Sequence, residues 1–266
     1  MGLHGAGKTT LLKLLSGRLT CGCKQEHVFV NGVGQMEIHD NYASKTAFLS
    51  QYTIPYYREV TVRQYLLLAA FMRMPRNMNN TAKFERVEQI ISEMKLTSEA
   101  DRTFGGSCKT KLTELQKRLL CLAVQLITRP LAIFLDEPIT GLDSASSMEM
   151  LNILRRLCNN GHLVIITTQA LPGQTAQLFN QLVLLSDKQV IYNGEPARLS
   201  DYYNSVSENK NEKPEGLEDI ISDILQSKKI KDAIVEQQQL EKIEKDAVHP
   251  KKGEKDILPA THKQLG

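Results

Sequence analysis

The sequence predicts an α/β fold, a mostly parallel sheet flanked by helices with a helical subdomain inserted into it. Three observations predict this. Residues Gly2-Leu-His-Gly-Ala-Gly-Lys-Thr9 match the phosphate-loop spacing G-x-x-x-x-G-K-[ST], and the helical run Thr10-Leu-Leu-Lys-Leu-Leu15 follows at once. Leu131-Ala-Ile-Phe-Leu135 is a short all-apolar run, as a strand buried on both faces requires, and it ends in Asp136-Glu137. Strand-like runs alternate with 3.6-residue apolar periods except between Gln51 and Gly106, where strands disappear.

The elements follow in chain order. Gly2, Gly5 and Gly7 free the loop backbone to approach a polyphosphate. The N–H groups of Gly5, Ala6, Gly7, Lys8, Thr9 and Thr10 can line an anion nest at a helix N-terminus. Lys8 can reach the β- and γ-phosphates, and the Thr9 hydroxyl can ligate Mg²⁺. Glu26-His-Val-Phe-Val-Asn31 reads as a strand ending in an Asn31-Gly32 turn. Ala47-Phe-Leu-Ser50 is another, ending at Gln51. Thr61 to Met74 is a helix stopped by Pro75. Phe84, Val87, Ile90, Ile91 and Met94 mark the core face of a second helix, and Thr113 to Thr128 forms a third, stopped by Pro130. The strand over 131–135 carries Asp136 and Glu137 to its carboxyl end, where open α/β sheets bind ligands. There Asp136 can hold Mg²⁺ through water, and Glu137 can polarise an attacking water. Ser144 caps a helix that turns Met148, Leu151, Leu154 and Leu157 inward. His162-Leu-Val-Ile-Ile166 is a second buried strand, and Gln181 to Leu185 and Gln189 to Tyr192 form a terminal pair.

Composition narrows the function classes. The 33 basic and 30 acidic residues leave a net charge of +3, too balanced to imply nucleic-acid binding. The longest apolar stretch, Tyr65 to Met72, falls far short of the roughly 20 residues that span a bilayer. Five scattered cysteines suit a reducing compartment rather than a disulfide framework, and Cys21-Gly-Cys23 lacks a second Cys or His pair for a metal. From Ser207 to Gly266 there are 24 charged residues and no aromatic, so residues 1–205 are expected as one globular domain and 206–266 as a charged, partly disordered linker or tail. Within that tail Leu217, Ile220, Ile221 and Ile224 recur at helical spacing.

In this order, the glycine loop, Gln51 at a strand end, a helical insert over about 52–117, the apolar strand, Asp136-Glu-Pro138 and Gly141-Leu-Asp143 resemble the nucleotide-binding domain of ABC transporters. That domain is a P-loop NTPase with a RecA-like core. Thr61-Val-Arg63, Met72-Arg-Met-Pro-Arg76, Phe134-Leu-Asp-Glu-Pro-Ile-Thr-Gly-Leu-Asp-Ser144, and Tyr192-Asn-Gly194 ahead of Tyr202-Tyr203 resemble its G subfamily, the white and scarlet pigment-transporter type. The resemblance covers residues 1–225. It implies ATP and Mg²⁺ as cofactors and a head-to-tail homo- or heterodimer with a second such domain. It also implies a transmembrane domain outside this chain, a place on the cytoplasmic face of a membrane, and ATP hydrolysis coupled to transport. Carried over by position, Lys8 and Thr9 would bind phosphate and Mg²⁺, and Gln51 would link Mg²⁺ to the membrane domain. Asp136 would be the Mg²⁺-water ligand and Glu137 the base, with Asp143 in a loop crossing to the partner's site. Thr113-Glu-Leu-Gln116 stands where the family carries Ser-Gly-Gly-Glu or Ser-Gly-Gly-Gln, with both glycines gone, and Thr113 and Gln116 would face the partner's nucleotide. Thr168, within Ile166-Thr-Thr-Gln-Ala170, stands where the family carries a switch histidine. The strand that leads into the family's glycine loop has no counterpart before Gly2, so the chain is expected to be a fragment or to lack its native start.

Three other readings use the same residues. The departures at Thr113–Gln116 and Thr168 fit a hydrolysis-deficient pseudoenzyme that supports a complete partner. A GTPase or small-molecule kinase shares the glycine loop, but Asn209-Lys-Asn-Glu212 ends in Glu where guanine recognition needs Asp. A soluble ABC protein without a membrane partner is opposed by the G-subfamily phrases.

Overall fold

The computed structural model describes residues 1–19, 28–30, 32–34, 42, 45–51, 59–103, 112–171, 173–206, 216–227, 231–232 and 234–235. Cys21-Gly-Cys23, both ends of the strand expected over 26–31, Asn209-Lys-Asn-Glu212 and the chain beyond 235 lie outside the described residues.

Helix α1 (Lys8–Leu15) follows the glycine loop directly. A short hairpin, β1 (Phe29–Val30) and β2 (Val33–Gly34), turns at Gly32, where φ is +81°. Strand β3 (Thr46–Leu49) leads to three helices: α2 (Val62–Arg73), α3 (Asn80–Glu93) and α4 (Glu114–Leu126). Strand β4 (Ala132–Asp136), helix α5 (Ser144–Asn159) and strand β5 (Leu163–Thr167) come next. The chain closes with β6 (Leu182–Ser186), β7 (Gln189–Gly194), α6 (Leu199–Val206) and α7 (Leu217–Gln226). Among the described residues no helix is long and apolar enough to cross a membrane.

Strands β3, β4 and β5 form a parallel sheet in that order, with Leu49 opposite Leu135 and Asp136 opposite Thr167. Every residue of β4 is buried, as its unbroken apolar run requires. Strands β6 and β7 form a separate antiparallel pair. A cavity of about 720 Å³ lies beside β5, walled by Ile165 and Ile166, by Leu182 and Leu185 of β6, and by Met1. Contrary to expectation, β5 is therefore not buried throughout, and Leu163 is 58% exposed.

Helices α2, α3 and α4 pack on one another and α4 packs on β3. Between residues 51 and 112 the described chain has one β bridge, Thr61 to Thr103. Thr61 and Gln64 form a capping box that starts α2, and Met74 ends it just before Pro75. The carbonyl end of α4 is satisfied from its neighbours: Arg73 donates to the Val124 carbonyl at 2.8 Å and Arg86 to that of Leu126 at 2.7 Å. On α3, Val87, Ile90 and Ile91 are buried, and Met94 just past its end is too, but Phe84 lies on the outer rim of the stripe, edge-on to Phe71 at 6.0 Å. On α5, Leu151, Leu154 and Leu157 face the core whereas Met148 is exposed. In the segment expected as polar tail, α7 buries Ile220, Ile221 and Ile224 with Leu184 and Ile191 of the β6–β7 pair.

Candidate functional site

Four segments converge at the carboxyl end of β4: the glycine loop with α1, the Asp136-Glu137 pair, the turn after it, and the end of β5. Gly5 (φ +80°) and Gly7 (φ +93°) hold left-handed backbone that only glycine adopts freely. Gly7 caps α1, and no side chain bonds that helix end. Gly2 bridges to Leu185 of β6, and a Cβ there would sit 2.3 Å from the Leu185 carbonyl oxygen.

The Lys8 ammonium is buried. It donates to the carbonyls of Gly2 at 2.8 Å and Leu3 at 3.0 Å, and pairs with Glu137 Oε1 at 3.3 Å. The Thr9 hydroxyl donates to both carboxylate oxygens of Asp136, at 2.8 and 3.0 Å. Thr167 at the end of β5 donates to Asp136 Oδ1 at 2.6 Å, and its carbonyl and hydroxyl accept the Glu137 N–H at 3.1 and 3.0 Å. Those bonds hold Glu137 at φ +50°, a conformation that costs a non-glycine residue about 1–3 kcal/mol. The Glu137 side chain accepts from Thr140 Oγ1 at 2.8 Å and from Gln169 Nε2 at 3.0 and 3.1 Å. Burial pushes the Glu137 carboxyl up, but the Gln169 and Thr140 hydrogen bonds and the Lys8 charge outweigh it, leaving the group below its ordinary value. Gln51 is half-buried in a turn two residues past β3, at the same sheet end as Glu137.

One expected residue does not join this cluster. The Thr168 hydroxyl donates to the Ala170 carbonyl at 2.5 Å. The residue that reaches Glu137 is Gln169, which the sequence reading did not single out. Both residues lie just past the end of β5, where the strand's alternation no longer sets which side chain faces Glu137.

Residues 1–140 match the family model described as ABC transporter. The chain belongs to the ABC transporter family. It is similar to ABC transporter G family member 19 of Arabidopsis thaliana, 28% identical over 218 residues, covering 79% of this chain and 29% of that protein. It is 34% identical over 207 residues to ABC transporter G family member 24 of Dictyostelium discoideum, covering 76% of this chain and 18% of that protein. With ABC transporter G family member 1 of the same organism the identity is 33% over 216 residues, 77% of this chain and 26% of the relative. The chain thus spans less than a third of the length of these relatives.

Domains of the ABC transporter family bind ATP, with Mg²⁺ implied, and this site has suitable donors. One hydroxyl and one carboxylate, Thr9 and Asp136, already meet, and hard oxygen donors are what Mg²⁺ takes. The other residues carried over from the ABC transporter resemblance have their bonds elsewhere. Thr113 and Gln116 form the capping box of α4: the Gln116 N–H donates to Thr113 Oγ1 at 3.2 Å and the Thr113 N–H to Gln116 Oε1 at 2.9 Å. Asp143, not Ser144, is the N-cap of α5, accepting from the Ser146 N–H at 3.1 Å. Its carboxyl lies below the ordinary value because it accepts hydrogen bonds from Ser146.

Proposed function

We propose that this chain is the ATP-binding subunit of an ABC half-transporter of the G type, coupling ATP binding and hydrolysis to movement of a solute across a membrane. The observation that carries the reading is the meeting of Thr9, Asp136 and Thr167 on one side and Lys8, Glu137 and Gln169 on the other, at the open end of a parallel sheet. Thr9 and Asp136 would hold Mg²⁺, which when bound neutralises charge developing on the phosphate oxygens. Lys8 would exchange Glu137 for phosphate, while the α1 N-terminus offers uncapped N–H groups to the same anion. Glu137, freed from Lys8 and still held by Thr140 and Gln169, would accept the proton of the attacking water.

In this proposal residues 1–205 form the ATP-binding domain, helices α2 to α4 make up the inserted helical subdomain over about 52–117, and 206–266 is a charged extension whose α7 docks back. Gln51 would contact the membrane domain, and Asp143, Thr113 and Gln116 would face a second nucleotide-binding domain in a head-to-tail dimer. The assembly would sit on the cytoplasmic face of a membrane.

The test is nucleotide binding and turnover measured separately. Lys8→Ala abolishes ATP binding, because Lys8 meets phosphate in the ground state; Glu137→Gln keeps binding and loses hydrolysis. Equal ATP affinity in wild type and Lys8→Ala overturns the site.

Slow turnover is a second reading. Thr113 and Gln116 spend their hydrogen bonds on each other, and Leu115 at that helix start is buried side chain where glycine would leave backbone bare. A homodimer turning over several ATP per second contradicts it.

A further inference from the structure

We propose that Arg118 is a positioning residue that ties the start of α4 to the Glu137 carboxylate. The inference rests on the ATPase reading for its consequence, and on the contacts themselves for its mechanics.

Arg118 lies in the second turn of α4 and is half-buried. Its Nη1 donates to the Pro138 carbonyl at 2.7 Å, and its Nη2 donates to the Thr140 carbonyl. These carbonyls are two residues apart, so one planar fork brackets the turn between them. Within the same turn the Thr140 hydroxyl donates to Glu137 Oε2 at 2.8 Å. The path runs from helix to guanidinium, to turn, to hydroxyl, to carboxylate: hydrogen bonds join guanidinium to turn and hydroxyl to carboxylate, and the side chains of Arg118 and Thr140 make the other steps covalent. At its far end α4 is held by Arg73 and Arg86, so the helix is anchored at both ends.

Nothing else on α4 reaches Glu137 among the contacts described. Lys8 comes from α1, Gln169 from the end of β5, and Asp136 is the chain neighbour in β4. A shift of α4 therefore reaches Glu137 through Arg118 and Thr140. In a head-to-tail dimer the first residues of α4 face the partner's nucleotide, whereas Glu137 serves the nucleotide held by Lys8. Arg118 would let occupancy of one site set the carboxylate of the other.

The experiment uses the full 266-residue chain and the variants Arg118→Met, Arg118→Lys, Thr140→Val and Arg118→Met with Thr140→Val. With Mg–ATP, Arg118→Met lowers kcat roughly tenfold or more and leaves KM within about threefold, because the base is displaced and the phosphate contacts are not. Arg118→Lys recovers part of the loss, since an ammonium serves one carbonyl at a time. The double variant is no slower than the slower single, as both break one path. A raised KM with unchanged kcat, or a double variant as slow as the product of the singles, overturns the proposal. Hydrogen exchange without nucleotide supplies the independent arm. Amides of residues 139–142 exchange faster in Arg118→Met and slower again in Arg118→Lys; unchanged exchange overturns the tie. Faster exchange in a wild-type background that binds but never hydrolyses ATP sinks the ATPase reading and leaves the tie standing.

Discussion

At Gly2 a hydrogen is all the space allows. The phosphate-loop spacing identifies this glycine, yet its constraint is the β6 carbonyl that passes beside it, a contact between residues 183 positions apart that no local pattern encodes. Gly2→Ala forces the loop away from β6 and is expected to cost about 1–3 kcal/mol, seen as a lower thermal midpoint. An unchanged midpoint would mean that the loop is not packed there. The Thr168 and Gln169 pair teaches a related point. A strand ending near residue 166 was legible from its apolar run, but the facing of the two residues just past its end is set by contacts distant in sequence or outside the strand, Gln169 to Glu137 and Thr168 to the Ala170 carbonyl. Gln169→Leu should lower kcat more than Thr168→Val does, in steady-state assays corrected for folded fraction. The reverse order would restore Thr168 to the site.

Among the elements, starts and stops were the most legible features, because caps are local chemistry. Thr61 with Gln64 and Thr113 with Gln116 each satisfy two N–H groups within four residues, so the sequence alone carries them. Facing was less legible. Phe84 and Met148 fit the apolar stripes of α3 and α5 but lie at their edges, where the neighbouring element decides burial. Two predictions belong here. The β6–β7 hairpin turns through Asp187 (φ +50°) and Lys188 (φ +66°), a mirror-image turn that favours glycine at its second position. Lys188→Gly should stabilise the chain by about 0.5–1 kcal/mol, read as a raised thermal midpoint; a lowered one would contradict the turn. Helix α7 carries Ile224, fully buried against the terminal sheet. Ile224→Ala should cost about 2–5 kcal/mol, whereas a polar extension without docking would lose nothing.

At the scale of the whole molecule, the sequence pattern yields a mostly parallel sheet and the acidic pair at a strand's carboxyl end, but it gives no hint of the strand order or of how the sheet divides. Strand β5 pairs with β4 along one side, and its other side borders the cavity shared with β6 and Met1. Four of its five residues are Leu163, Val164, Ile165 and Ile166, β-rich and uncharged. Such a rim, half open to solvent and without a strand partner among the described residues, is a growth surface: its N–H and C=O groups can template a strand from another molecule, and each added strand would present the same rim again. Solutions of this chain should therefore scatter light increasingly with concentration, and a single lysine at the outermost position, Leu163→Lys, should suppress that growth by placing a charge where the next strand would stack. Growth of equal rate in the lysine variant would mean that molecules join through some other face.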